Sequence, residues 1–183
     1  MSGGGLRATR RGFLRLAGGA AALAGLAQLR ALPAGAAAAA AAGAGGPRFF
    51  ADREREILTR IVERMVDTGD PNAPAVRDTR AIDVIDALCR TLDPALTAPL
   101  PALVRLVEWG PLLFDGRFAR FSSLDAAEQD AHLAGWMRSR IGLRRLGFLA
   151  LRNLAMLGYW SQDETWPLIG YQGPLLRRGE TAR

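Results

Sequence analysis

The chain has 183 residues, 49% hydrophobic and 23% charged, a globular composition that excludes a disordered or fibrous protein. Its net charge of +6 and pI near 11.0 suggest a nucleic-acid partner, but residues 1–44 hold Arg7, Arg10, Arg11, Arg15 and Arg30 and no acid. The 19 arginines and 18 acids beyond them nearly cancel, so the electrostatic footprint that a phosphate backbone requires is missing and no nucleic acid is expected.

The first 44 residues have the three-part layout of a secretory signal. Arginines open it, a mildly apolar stretch at 16–29 follows with Gly18, Gly19 and Gly25 interspersed, and small residues fill 34–46. Thr9, Arg10, Arg11, Phe13 and Leu14 match the twin-arginine export pattern. The apolar stretch is shorter than the ~20 residues needed to span a bilayer, and Arg30 closes it. Ala42-Gly43-Ala44 and Ala34-Gly35-Ala36 both suit cleavage; the competing reading is an uncleaved anchor or a basic helix on the membrane.

From residue 48 the pattern turns helical. Asp52 can cap a helix whose Ile57, Leu58, Ile61, Val62, Met65 and Val66 form one apolar stripe, which Gly69 and Pro71 end. Residues 67–78 read as a loop. A second helix carries Ile82, Ile85, Leu88, Cys89 and Leu92 on one face and stops at Asp93-Pro94. Pro99 and Pro101 open a third, with Leu103, Leu106 and Val107 inward, which Trp109-Gly110-Pro111 is expected to break.

Phe114, Phe118 and Phe121 then follow in an irregular or short helical stretch. Asp125 and Glu128 form a capping box for a helix holding Leu133, Trp136 and Met137. Residues 141–157 are apolar around much of their circumference, so that helix is expected at the centre of a bundle or under a partner. The fold class is therefore all-α. It is a compact bundle of about five helices spanning 48–176, with an irregular aromatic C-terminal tail, a disordered end at 177–183 and a flexible signal peptide in front.

Chemistry is sparse in this sequence. It has one histidine, His132, one cysteine, Cys89, and no lysine, which removes two-histidine metal sites, Schiff-base catalysis and a phosphate-loop lysine. His132 falls at the edge of its helix's buried face, and Cys89 on an apolar stripe, where a small buried hydrophobe is the default and a thiol paired to a partner chain the alternative. Asp67, Asp70 and Asp78 lack the order of a calcium loop and suit turn chemistry. No catalytic, cofactor-binding or metal-ligating residue is assigned.

The C-terminal segment is different: Gly158-Tyr159-Trp160-Ser161 and Trp166-Pro167-Leu168-Ile169-Gly170-Tyr171-Gln172-Gly173-Pro174 concentrate both tyrosines and two tryptophans. Aromatics of this kind either fold back on their own core or serve as interface hot spots. Tyr159, Trp160, Trp166, Gly170, Tyr171, Gly173 and Pro174 are accordingly the candidate partner interface.

These residues resemble the gluconate 2-dehydrogenase subunit 3 family. The likeness spans about 48–175. It rests on the leader, the opening helix at 54–66 with its Asp/Pro-rich loop, and Ala81-Ile82-Asp83-Val84-Ile85-Asp86. Phe118, Phe121, Leu124, Glu128 and Gln129 at their spacing, and the Gly-Tyr-Trp-Ser…Gly-Tyr-x-Gly-Pro tail, complete it. The resemblance implies a small subunit, without a cofactor of its own, of a membrane-associated dehydrogenase complex. Its partner would be an FAD-dependent oxidoreductase of the glucose–methanol–choline type, with a multihaem cytochrome c subunit often carrying the electrons onward. It further implies that the small subunit takes the folded flavoprotein through the twin-arginine translocase and stabilises it in the periplasm at the inner membrane. The partner's substrate does not carry over. Two other functions stay open on the residues alone: a stand-alone exported helical binding protein, and an exported enzyme whose site is assembled from scattered acids, His132 and Cys89.

Overall fold

In a computed structural model, residues 48–173 are described. The twin-arginine residues Thr9 to Leu14, Pro174 and the 177–183 end lie outside the described residues.

The one-sided stripe at 57–62 does what its spacing requires. Helix α1 (Asp52–Met65) buries Ile57, Leu58, Ile61 and Val62. Ala51, not Asp52, is the residue before its first turn; Asp52 stands inside that turn, where its charge complements the helix dipole. Glu54 reaches back to accept a hydrogen bond from the Ala51 N–H at 3.0 Å. The following loop is ordered by its own acids, with Asp67 accepting from the Gly69 N–H at 3.0 Å and Asp70 from the Asn72 N–H at 2.8 Å.

Helix α2 (Ala81–Thr91) buries Ile82, Val84, Ile85, Leu88 and Cys89. Asp93 then caps the short helix α3 (Pro94–Thr97) by accepting from the Ala95 N–H at 2.8 Å. Helix α4 (Leu100–Phe114) runs straight through the position expected to end it. Pro111 has no N–H, so the Val107 carbonyl loses its helical donor. The steric clash that normally forces the residue before a proline out of helical conformation is relieved because Gly110 has no side chain. One more turn therefore forms, through Phe114.

A short 3-10 turn at Phe121–Ser123 seats Phe121 in the core. Helix α5 (Ala126–Met137) starts on the expected capping box, with the Glu128 N–H donating to Asp125 at 2.8 Å. Helix α6 (Gly142–Trp160) is the longest and packs against α1, α2 and α5. Small residues allow this: Gly147, Ala150, Ala155 and Gly158 are buried along it, and at Gly158 the backbone approaches Ile85 and the Ala81 carbonyl too closely for a side chain. A 3-10 segment, Asp163–Ile169, follows and ends at Gly170, whose φ of 67° closes it in the left-handed region. The described residues contain helices and no strand, so the domain is all-α with six α-helices.

Candidate interaction surface

The two side chains best suited to chemistry are built into the core. Cys89 is 1% exposed, and burial together with the Asp86 carboxylate pushes its thiol up to about 12. It is a small hydrophobe, with no thiolate at neutral pH. His132 is 4% exposed rather than on the boundary where its helical position suggested. The difference arises because α4 continues past Pro111 and lays Gly110 over the ring; a Cβ at Gly110 would stand 2.5 Å from His132 Nε2. Nδ1 meets the Asp115 carboxylate at 2.5 Å, at the residue that closes α4. Burial lowers the imidazole's pKa; Asp115 opposes that shift and Arg144 adds to it. A ring sealed in this way ties α5 to the end of α4 and offers no face to a substrate.

The buried carboxylates hold chain segments in place. Asp86 accepts from the N–H groups of Phe49 at 2.9 Å and Phe50 at 3.0 Å, fixing the bend that leads into α1. Glu108 accepts from the Ser122 N–H at 3.0 Å and hydroxyl at 2.7 Å, and from Arg53 at 2.9 Å. Among the described residues, no cluster of three His, Cys, Asp or Glu side chains could hold a metal ion.

The aromatic segment divides in two. Tyr159 and Trp160 belong to the last turn of α6, not to an irregular tail, because the apolar pattern of that helix continues to residue 160. Tyr159 is buried, and its hydroxyl donates to the Pro74 carbonyl at 2.8 Å, pinning the acidic loop. Trp160 is half-buried and packs edge-on to it, the rings 5.1 Å apart. Trp166 donates from Nε1 to the Trp160 carbonyl at 3.2 Å and meets the Tyr171 ring edge-on at 5.1 Å. Trp166, Gly170 and Tyr171 line a surface depression of about 380 Å3, with Ile169 exposed nearby, while Gly173 is half-buried beyond it. Of the predicted interface residues, then, Trp166, Gly170 and Tyr171 remain a surface group, and Tyr159 is core.

A larger surface went unread in the sequence. Among the described residues, seven of the nine exposed large hydrophobic side chains are Trp109, Leu112, Leu113, Phe114, Phe118, Met137 and Ile141. Helix α4 carries apolar residues on two faces: Leu103, Val104 and Val107 inward, Trp109, Leu112 and Leu113 outward. A helix apolar all round needs cover on both sides. That signal was present in residues 103–114 but masked by reading Trp109-Gly110-Pro111 as a break.

The described residues form an all-α domain whose histidine and cysteine are buried and whose exposed large apolar side chains gather mostly on α4 and the segments beside it. Compared with family models, curated proteins and solved structures, the chain matches none of them.

Proposed function

We propose that this chain is a non-catalytic small subunit that escorts a folded FAD-dependent dehydrogenase through the twin-arginine route and stabilises it in the periplasm. The flavin resides in the partner, of the glucose–methanol–choline type, and haem c in a third subunit where one is present. One pairing of observations carries the reading: the Thr9-Arg10-Arg11-Gly12-Phe13-Leu14 leader stands before a domain whose sole histidine and sole cysteine are both sealed in the core. The twin-arginine route accepts folded cargo, and flavin must be inserted before export. A leader of this kind on a chain with no chemistry of its own is explained if the cargo is the partner. The Trp166–Tyr171 group supplies a docking face of the composition that dominates interface energetics.

The test is co-expression with a flavoprotein that has no leader of its own. Changing Arg10→Lys and Arg11→Lys together is expected to strand the flavoprotein in the cytoplasm; equal arrival in the periplasm refutes the escort role. Trp166→Ala with Tyr171→Ala is expected to weaken co-purification by at least about 2 kcal/mol, roughly thirtyfold in affinity. Unchanged affinity with a lowered melting temperature would instead assign both rings to this chain's own packing.

A further inference from the structure

At one end of the bundle, apolar and cationic side chains gather, and no element among the described residues covers them. Phe118, on the loop after α4, is 98% exposed, Leu113 is 59% exposed and Ile141 51%. They come from separate segments but share one end. The Phe114 ring lies edge-on to Trp136 at 6.0 Å, and the Arg144 guanidinium stands 4.5 Å over the same ring. The linker at 138–141, between those two residues, is thereby fixed beside the last turn of α4. Arg120, Arg138, Arg140 and Arg145 are exposed at this end, and among the described residues no carboxylate pairs with them. The one acid between 109 and 124 is Asp115, whose carboxylate is held by His132.

We propose that this end of the bundle docks on an anionic lipid bilayer. A bilayer presents negative headgroups above an apolar layer, and the protein presents both complements together: exposed apolar tips with exposed guanidinium groups among them. Arg120 stands 4.7 Å over the Trp109 ring and Arg144 4.5 Å over Phe114, so two of the aromatic rings at this end have a cation beside them to meet a headgroup. Isolated protrusions from three segments suit a fluid surface, which deforms around them. A folded protein would need a matched pocket for each tip and a carboxylate for each arginine. The contact is peripheral, since among the described residues no helix is long and apolar enough to cross a membrane. This membrane face lies beyond the escort role and does not depend on it.

Cys89 makes a selective test possible, because its buried, protonated thiol leaves a newly introduced surface cysteine as the reactive one. The full chain carrying Phe118→Cys, labelled with an environment-sensitive fluorophore, is mixed with vesicles of phosphatidylethanolamine and phosphatidylglycerol, or of phosphatidylcholine alone. The label is expected to shift to the blue on the anionic vesicles only, and to return to its aqueous spectrum in high salt. The same label at Asn72→Cys, in the acidic loop, is expected to stay aqueous throughout. Leu113→Asp with Ile141→Asp, both at exposed positions, is expected to weaken vesicle binding about tenfold at an unchanged melting temperature. An aqueous spectrum at position 118 while the chain sediments with vesicles overturns the proposal, since the leader alone would then be holding it there. A shift that requires an added flavoprotein overturns it equally and makes this end a protein interface.

Discussion

Asp86 is the residue that holds the chain's entry into α1. Its carboxylate is 5% exposed and accepts from two consecutive backbone N–H groups, Phe49 and Phe50, with Arg55 at 3.4 Å and Arg90 at 3.7 Å balancing its charge. Asp86→Ala removes both acceptors together. Each hydrogen bond to a charged group contributes about 1.5–3 kcal/mol, and the Phe50 N–H, being buried, has no water to replace its partner. The Phe49 N–H is only part-buried and recovers some of its loss, so the expected cost is about 3 kcal/mol. At a urea slope near 1.5 kcal/mol/M, that lowers the unfolding midpoint by about 2 M. Asp83→Ala is the matched control: its carboxylate is half exposed and pairs with Arg55 at 2.5 Å, so it should cost under about 1 kcal/mol. Urea unfolding of both variants, followed by far-UV circular dichroism, decides the matter. Equal midpoint shifts would refute the argument, because they would show that two backbone bonds to a buried carboxylate matter no more than one surface ion pair.

Three further outcomes follow from the packing and the buried titrating groups. Gly158→Ala should destabilise by about 1–3 kcal/mol despite alanine's better helix propensity, because its Cβ would meet Ile85 Cγ1 at 2.6 Å and the Ala81 carbonyl at 2.8 Å. Gly142→Ala, which meets nothing, should be neutral or stabilising in the same thermal melt. Cys89 should resist thiol reagents in the native chain at pH 8 and react only at the unfolding rate. Because its pKa is raised from 9.0 to about 12, the stability it contributes is complete below pH 9 and is lost as pH rises toward 12. His132, shifted downward from 6.5 by burial, should remain neutral in the folded chain below pH 6.5, as a single imidazole resonance in an NMR titration will show. The unfolded chain takes up that proton first, so stability should fall as pH drops below 6.5; a folded-state titration at or above 6.5 contradicts the reading.

Helices α1 and α2 were legible in the sequence because each has one apolar face and one polar face, so period alone fixes which side is buried. Asp125 and Glu128 were legible because a capping box is a local bond pattern. What failed was whatever depended on a neighbour. Pro111 reads as a helix breaker until Gly110, which has no Cβ, is seen to ease the clash, and that reading shortens α4. It hides the exposed helical face of Trp109, Leu112 and Leu113, and the cover that Gly110 gives to His132, which its own helix alone sets at the edge of the buried face. The tail failed for a related reason. Tyr159 and Trp166 have the same composition signal, and only the fold separates the ring that meets the Pro74 carbonyl in the core from the one that stacks on Tyr171 at the surface.

The basic pI takes on a different meaning once its sources are separated. Part of it comes from the five arginines of residues 1–44, which hold no acid. The rest is a matter of placement rather than amount: from 131 to 162 every formal charge is an arginine, while the other residues beyond 44 carry 14 arginines against 18 acids. The start of α1 lies beside the aromatic end of this basic region, since Arg53 bonds both Glu108, the residue before Trp109, and Ser122, four residues after Phe118. The Trp166–Tyr171 group follows the opposite end of α6, whose 19 residues set the two ends about 28 Å apart. Separation by the longest helix allows both surfaces to be occupied at once. A flavoprotein on the tail face would leave the cationic aromatic end free. On the proposed reading, the leader and the bilayer-facing end address the same membrane in turn, the first during export and the second once the subunit has arrived.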